Sequence, residues 1–271
     1  MYILFDIGKT KTRVAASRDL ESFGEPKIFD TPKDYLEAVA AVTLAAKEVS
    51  LGEKIEHVGG GVAGPLGVEK QSLAEDINFP GWVGRPLCGD LWAALGAPVF
   101  LENDSALVGL GEAVSGAGKK YNIVAYVTIS TGVGGARIID KKIDTNSIGF
   151  EPGWQAITLD GKFATDYLSG AATEKETGKK PFEISDPVFW DTKARILAYF
   201  LNNIIVMWSP DIVVIGGSMV KEVGISISET EKYLHQILRI FPKIPRIIPA
   251  ELNDVGGLYG AMEFLKDKRH I

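Results

Sequence analysis

The sequence predicts an α/β protein made of two similar domains that face a central cleft. Two observations lead to this prediction. Apolar runs of strand length alternate with runs of helical periodicity along the whole chain. In addition, a buried strand, a glycine turn and a returning strand open each half of the chain, at Asp6–Thr12 and again at Ser130–Gly135. Paired α/β domains commonly hold a ligand in the crevice between them.

Composition narrows the class of protein. The chain has 271 residues, of which 46% are hydrophobic, so it can build a substantial core. Its net charge of −6 argues against a general binder of nucleic acid or of anionic membranes. No apolar run reaches 18 residues, and the N-terminus lacks the basic region of a signal peptide. We therefore expect a cytoplasmic protein that acts on a small molecule, and a homodimer is one assembly left open.

The first half is predicted as a small domain over residues 1–113. Its helices are one capped by Thr31 and ended by Gly52, a short one over Pro86–Leu95, and one from about Ser105 to Ala113. The predicted strands are Tyr2–Asp6, Val14–Ser17, Lys27–Phe29, His57–Val62 and Val99–Glu102.

The second half is predicted as a larger domain over residues 114–255. The helices expected in it lie near Phe163–Glu176, over Thr192–Trp208 and around Leu234–Phe241, with a loop at Glu174–Asp186. A final helix within 256–271 is expected to pack back on the first domain. The predicted strands are Ile123–Ser130, Ala136–Ile139, Asp211–Ile215 and Arg246–Ile248.

The two glycine turns are the first candidates for chemistry. Backbone N–H groups in such turns can bind phosphate oxygens, and Asp6 at the end of a buried strand can hold Mg²⁺ directly or through water. An ordinary type I′ hairpin is the alternative for the first turn. Two matched turns are stronger evidence than one, because together they can hold the phosphates of one nucleotide.

Between the turns, Leu101–Ala106 marks a strand-to-helix junction that contains Asn103 and Asp104. Asp104 is a candidate general base that accepts the proton of a substrate hydroxyl attacking a phosphoryl group. The alternative is that Asn103 or Asp104 simply caps the helix.

The ordered set DIGKTKT, GVAGP, NFPGWVGRPL, LENDSA, STGVGG, DIVVIGG and VGGLYGA resembles the ROK family of sugar kinases, within the actin/hexokinase-like ATPase superfamily. The resemblance covers Asp6 to about Leu265. It implies two ribonuclease-H-like α/β domains and a kinase that uses ATP and Mg²⁺ to phosphorylate a hexose or a hexose derivative.

The resemblance also implies roles for single residues. Gly64 and Pro65 would shape the substrate side of the cleft. The sugar ligands would be Asn78, Asn103 and Asp104, with Asp104 as the base; Asn78 can equally be a turn residue before Pro80. The nucleotide would be bound by Asp6, Gly8, Lys9, Thr10 and Lys11 in the first turn, by Thr131, Gly132 and Gly134 in the second, and by Gly216, Gly217 and Ser218 beside adenosine.

The sequence departs from the family in three places. Lys9 replaces a glycine, so it either adds charge near the phosphates or points to solvent. Glu151 is kept among the sugar ligands, but the following family histidine is Trp154, which either stacks on a sugar or fills space. A further sugar-binding glutamate falls on Thr165, or, with the alignment shifted by one residue, on Asp166. The family's Cys/His zinc motif is absent, because Cys88 is the only cysteine.

These departures leave alternatives to a typical glucokinase. One is a catalytically weakened sensor that binds nucleotide or sugar, and another is a kinase for a different acceptor such as an amino sugar. A transcription regulator of the family is not expected, since the first strand begins at residue 2 and leaves no room for a winged helix. Intact Asp6, Asp104 and the second turn favour catalysis.

Overall fold

A computed structural model describes residues 1–75, 79–220 and 224–268. The chain divides into two compact units. The first unit contains Met1–Gly116, Thr145–Gly149 and the chain from Asp254, and the second contains Ala117–Asp144 and Phe150–Asn253. The short segment Thr145–Gly149 therefore belongs to the first unit, although the sequence-based division placed it in the second domain, residues 114–255.

Each unit contains one five-stranded sheet, and the two sheets have the same topology. In the first the order is β3-β2-β1-β4-β5, and in the second it is β8-β7-β6-β9-β10. In both sheets, counted in chain order, the second strand runs antiparallel to the first and the third runs antiparallel to the second. The fourth and fifth strands run parallel to the first. The predicted pair of similar α/β halves is confirmed. The strands are β1 (Tyr2–Ile7), β2 (Lys11–Ser17), β3 (Lys27–Asp30), β4 (His57–Val62), β5 (Val99–Asn103), β6 (Ile123–Ile129), β7 (Val133–Ile139), β8 (Lys142–Ile143), β9 (Ile212–Gly216) and β10 (Arg246–Pro249).

Eight α-helices are described. Across the described ranges, none is long and apolar enough to cross a membrane. The helices are α1 (Tyr35–Ser50), α2 (Leu87–Leu95), α3 (Asp104–Val114), α4 (Ala164–Leu168), α5 (Gly170–Thr177), α6 (Pro187–Trp208), α7 (Ile227–Ile237) and α8 (Gly256–Lys266).

The C-terminal helix α8 is built into the first unit. It packs against α3, β4 and β1, and glycines make the close approach possible. A side chain at Gly260 would collide with the carbonyl group of Leu107 in α3, and one at Gly59 in β4 would collide with Leu265. In the second unit, the core forms around the buried face of the long helix α6.

The predicted start of α1 is wrong. The helix begins at Tyr35, and its N-cap is Asp34, whose carboxylate accepts a hydrogen bond from the backbone N–H of Glu37 at 3.0 Å. The hydroxyl of Thr31 is instead bonded to the carbonyl oxygen of Gly8, so a long-range partner takes the group that the local pattern assigned to a cap.

The predicted helix Phe163–Glu176 is two helices, α4 and α5. Ser169 between them is extended, and its hydroxyl accepts from the N–H of Ala172, so it starts a new helix. The predicted loop Glu174–Asp186 contains the last turn of α5 and a 3₁₀ turn at Pro181–Glu183. Helix α6 begins at Pro187, five residues before the prediction, because Asp186 caps it and proline suits the first helical position.

Candidate active site

Asp6 lies near the end of β1, directly opposite Arg13 of β2. Its side chain is buried against the first turn of α8, where a side chain at Gly257 would lie 2.7 Å from the Asp6 carboxylate. Burial, followed by the nearby charge of Asp104, raises the pKa of Asp6 to about 7, although Arg13 opposes this shift. A buried carboxylate held beside a second carboxylate is typical of a site that binds a cation or a proton.

The first glycine turn presents its N–H groups outward. The N–H of Gly8 donates to the carbonyl of Lys11 at 3.0 Å, which closes the turn. Thr31 binds two turn carbonyls, because its N–H donates to Thr10 at 3.0 Å and its hydroxyl donates to Gly8 at 2.7 Å. Among the described residues, the N–H groups of Lys9 and Thr10 find no acceptor. A turn with its carbonyls tied and its N–H groups exposed suits an anion.

No residue from Gly8 to Lys11 has a positive φ angle, so the turn is not the type I′ hairpin that was the alternative. Lys9 therefore occupies the position of a family glycine without backbone strain, and its side chain is exposed. The ammonium of Lys11 lies 2.7 Å from the Asp30 carboxylate on the surface.

Asn103 and Asp104 divide two tasks at the junction of β5 and α3. Asn103 caps α3, because its side-chain oxygen accepts from the N–H of Ala106 at 3.1 Å. Its amide nitrogen donates to the carbonyl of Gly64, also at 3.1 Å. The carboxylate of Asp104 accepts only from Ser105 among the described residues, and burial raises its pKa. Asn103 thus performs the capping alternative, which leaves Asp104 free for chemistry.

Gly61 of β4 lies beneath this junction. A side chain there would come within 2.9 Å of the Cα atom of Asp104. Gly61 also pairs with Asp6 on one side and Glu102 on the other, so β4 fixes the spacing between β1, which carries Asp6, and β5, which leads into Asp104.

The second glycine turn covers Ser130, Thr131 and Gly132, between β6 and β7. The N-terminal N–H groups of α5 hold it from below: Gly170 donates to Ser130 at 2.7 Å and Ala171 donates to Thr131 at 3.3 Å. Gly134 does not lie in the turn, because β7 begins at Val133 and Gly134 pairs with Thr128. The turn is therefore shorter than the predicted Ser130–Gly135, because the β6–β7 pairing continues to Ile129 and Val133.

Gly216 ends β9, and Gly217 and Ser218 follow it and contact the end of β6 and the second turn. Gly217 has a φ angle of +96°, and a side chain on it would overlap the backbone of Ile129. The hydroxyl of Ser218 lies 3.2 Å from that of Ser130. The second unit thus brings together two of the groups predicted to bind nucleotide.

The segment with Glu151, Trp154 and Thr165 packs beside the start of β7. Glu151 is exposed at the start of the 3₁₀ turn Pro152–Trp154, and Thr165 is half-buried in α4. Trp154 is 44% exposed and packs edge-on against Phe163, with ring centroids 5.2 Å apart. Asp166 is exposed, and its carboxylate accepts from the N–H of Phe163 at 2.9 Å. The carboxylate of Asp166 is therefore engaged by the backbone at the N-terminus of α4.

Two predictions, the role of Asn78 and the lack of a zinc site, stay predictions. Asn78 lies outside the described residues. Within the described ranges, no group of three or more His, Cys, Asp or Glu side chains is arranged to hold a metal ion. The lack of a zinc site stays a prediction.

Sequence reasoning missed several supports of this site. Thr31 and the pair Gly170–Ala171 hold the two turns, and Asp254 pairs with Arg13 beside Asp6, with 3.2 Å between the charged atoms. The Ser169-Gly170 dipeptide is the one local signal that could have revealed a helix start, because serine is a strong N-cap. The other contacts are long-range and leave no local pattern.

Comparison with known proteins gives one family. The model of the ROK family matches residues 2–268. The sequence is also similar to an N-acetyl-D-glucosamine kinase of Citrobacter koseri, with 28% identity over 298 aligned positions that cover 96% of this chain and 98% of the relative.

Solved structures show the same fold. The structure is similar to a ROK hexokinase from Thermus thermophilus, with a TM-score of 0.84 and 23% identity, covering 98% of this chain and 99% of that one. It is also similar to a ROK family glucokinase from Streptomyces griseus in complex with glucose and AMPPNP, with a TM-score of 0.82, 24% identity and the same coverage.

Proposed function

This chain belongs to the ROK family, and from that premise we propose that it is an ATP-dependent sugar kinase, a phosphotransferase with an alcohol acceptor. The product is a hexose, or a hexose derivative, that carries the γ-phosphoryl group on one hydroxyl. The observation that carries the proposal is the division of tasks at the β5–α3 junction. Asn103 supplies the helix cap, and the buried carboxylate of Asp104 has a raised pKa and forms no ion pair with a lysine or arginine among the described residues.

Asp104 acts as the general base. Its carboxylate accepts the proton of the acceptor hydroxyl while the hydroxyl oxygen forms a bond to the γ-phosphorus. The bond between the γ-phosphorus and the bridging oxygen breaks, and ADP leaves with that electron pair. Burial raises the pKa of Asp104, and the carboxylate is therefore a stronger acceptor of the hydroxyl proton than an exposed aspartate.

The two glycine turns bind the phosphates. The exposed N–H groups of Lys9 and Thr10 are the donors in the first turn, and Thr131 and Gly132 are the corresponding residues of the second. Two carbonyls of each turn are already bonded, in the first turn to Thr31 and in the second to the N-terminal N–H groups of α5, so binding requires little reorganisation. Ser218 and the glycines before it border the adenosine.

Asp6 fits a Mg²⁺ site. Its carboxylate is the hard oxygen ligand that Mg²⁺ prefers, and a single protein carboxylate is sufficient when phosphates and waters complete the shell. Bound Mg²⁺ would neutralise charge on the β- and γ-phosphates. Asp6 holds this position because Gly257 leaves room for its carboxylate at the N-terminus of α8, where the helix dipole favours a negative charge.

The acceptor is a hexose or an amino sugar in this proposal. The relatives named N-acetyl-D-glucosamine kinase support an acceptor with an acetamido group. Exposed Trp154 supports it as well, because an indole offers an apolar face and one N–H donor in place of an imidazole. We place the enzyme in the cytoplasm, and the homodimer stays a prediction that light scattering can test.

A screen of ADP release tests the function. Wild-type protein with ATP and Mg²⁺ is incubated with glucose, mannose, fructose, N-acetylglucosamine and N-acetylmannosamine, and with no sugar as the background. We expect ADP release above background for at least one sugar, with one phosphate added to that sugar by mass spectrometry. ATP binding without transfer to any sugar would instead support the sensor, and would contradict the kinase.

A further inference from the structure

An ion pair joins half-buried Lys70 to buried Glu102, which lies two residues before the proposed base in the chain. The carboxylate of Glu102, the last residue but one of β5, is only 6% exposed, and one of its oxygens lies 2.5 Å from the ammonium of Lys70. Its other oxygen accepts from the backbone N–H of Asn103 at 3.0 Å. Glu102 therefore connects Lys70 to the residue that caps α3 and precedes Asp104.

Lys70 belongs to a small hairpin, defined here as residues 66–73. Leu66 and Leu73 form its bridge, and the N–H of Gly67 donates to Ser72. The N–H of Lys70 donates to the carbonyl of Gly67 at 2.8 Å. The same stretch of chain also meets the junction two residues before the hairpin, where the Gly64 carbonyl accepts from Asn103. The hairpin and its approach are thus attached to the β5–α3 junction at two points.

Lys70 also has an unfavourable backbone conformation. Its φ angle is +49°, a left-handed conformation that glycine and asparagine adopt more easily than lysine. Only a lysine or arginine at this position can neutralise Glu102. The position therefore combines a strained backbone with a buried charge contact.

We infer that Lys70 is a positioning residue: through its ion pair with Glu102 it holds the β5–α3 junction, and so Asn103 and Asp104, in the orientation that acceptor phosphorylation requires. This inference rests on the proposed function. The loss of Lys70 would leave a buried carboxylate without its cation, and such a group draws in water or moves toward it. Because the Asn103 N–H is bonded to that carboxylate, the displacement reaches the base. Among the described residues, the first glycine turn forms no hydrogen bond or ion pair with Lys70 or Glu102, so we expect ATP binding to be spared.

Lys70→Gly is the sharpest variant, because glycine relieves the left-handed backbone while it removes the ammonium. Glu102→Gln removes the charge from the other partner, and Lys70→Arg keeps the cation. Lys27→Met is the matched control: it removes an exposed ion pair with Glu48 in the same unit.

Two measurements on the full chain decide the inference. The first is hydrogen exchange of peptides that span 101–107, and the second is the set of kinetic constants for the acceptor found in the sugar screen and for ATP. Lys70→Gly and Glu102→Gln should speed exchange in 101–107 by at least about threefold and lower kcat/KM for the acceptor roughly tenfold to hundredfold, while KM for ATP stays within about twofold. Lys70→Arg should recover most of this loss, and Lys27→Met should match the wild type.

The inference is overturned if neither charge-removing variant changes exchange in 101–107, if exchange changes while the acceptor kcat/KM does not, or if the constants for ATP and acceptor fall equally. A wild-type protein that phosphorylates no sugar would refute the proposed function alone. In that case the exchange measurement still decides whether Lys70 holds the junction.

Discussion

The two sheets have the same topology, but the ends of their first strands carry different chemistry. In the first unit, β1 carries Asp6 opposite Arg13. At the corresponding place in the second unit, β6 carries Thr128 opposite Gly134. The outer parallel strand of the first sheet, β5, ends with Glu102 and Asn103 and leads into Asp104, whereas its counterpart β10 ends with Ile248 and Pro249 and leads into Ala250. One backbone arrangement thus supports a charged site in one unit and a neutral, backbone-rich site in the other.

The two glycine turns, in contrast, are alike. Both tie their carbonyls to a neighbouring segment and leave N–H groups exposed. The first turn is held by the hydroxyl and N–H of Thr31, and the second by two N–H groups of α5. The turns are alike in what they offer to phosphate, so the difference between the units lies in the carboxylates. The predictions below test whether catalysis follows that difference.

The largest effect is expected for Asp104→Asn. Removal of the base should lower kcat roughly 10²- to 10⁴-fold and leave the Kd for ATP nearly unchanged, because the variant keeps the shape of the side chain. Single-turnover kinetics and calorimetry measure the two quantities. Asp34→Asn is the matched control, since asparagine caps α1 as well as aspartate does. Turnover near the wild-type value in Asp104→Asn would remove Asp104 from the role of base.

A double substitution tests the proposed acceptor segment of the second unit, where Trp154 and Thr165 are uncharged. Trp154→His/Thr165→Glu restores two polar groups of the family, and charged hydrogen bonds contribute about 1.5–3 kcal/mol, or roughly 10- to 150-fold in affinity. We expect the wild type to be a poor glucokinase. The double variant should gain kcat/KM for glucose by that factor. The measurement compares kcat/KM for glucose, mannose, fructose and their N-acetyl derivatives in the two proteins. A wild type that already phosphorylates glucose with a micromolar KM would contradict this.

Asp6→Asn tests whether the first unit alone holds the metal. The loss of a carboxylate that orients Mg²⁺ should lower activity by about 10- to 100-fold and raise the Mg²⁺ concentration needed for half-maximal rate. The counterpart Thr128→Val should have little effect on the Mg²⁺ dependence. If the two variants weaken it equally, the contrast between the units does not extend to the metal.

Asp6 should also destabilise the ligand-free protein at neutral pH. Its pKa is raised from 3.8 to about 7 in the folded state, so the folded protein binds more protons than the unfolded chain between these values, and stability falls as pH rises through them. Asp6→Asn should therefore raise the free energy of unfolding by about 1–3 kcal/mol at pH 8 and by almost nothing at pH 4. Urea unfolding at both pH values measures the difference, and an equal gain at both would argue against the burial of an ionised carboxylate.

The smallest effect expected is for zinc. With Cys88 the only cysteine and the family motif absent, purified protein should hold less than about 0.1 zinc per chain by elemental analysis, and a zinc-specific chelator should leave activity unchanged. About one zinc per chain would contradict this prediction and would mean that ligands outside the family motif bind the ion.

Much of this protein could be predicted from its sequence. The strand–turn–strand units, the order of helices and strands, and the location of Asp104 at a strand-to-helix junction all follow from local hydrophobic periodicity and glycine placement. The predicted cap of α1 failed because the hydroxyl of Thr31 is bonded to the carbonyl of Gly8, a partner 23 residues away that no local pattern reveals. The sequence left open whether Asn103 or Asp104 caps α3, and the structure shows that Asn103 does.

The sequence by itself determined the two-fold α/β plan and the family, because these depend on periodicity and on the order of short motifs. The tertiary structure decided which groups act together. It places Gly257 and Arg13 against Asp6, α5 beneath the second turn, and Lys70 on Glu102. These contacts join residues separated by up to about 250 positions, and their energy comes from burial and charge neutralisation that exist only after the chain has packed. A local pattern contains no record of such partners, whereas the folded units do.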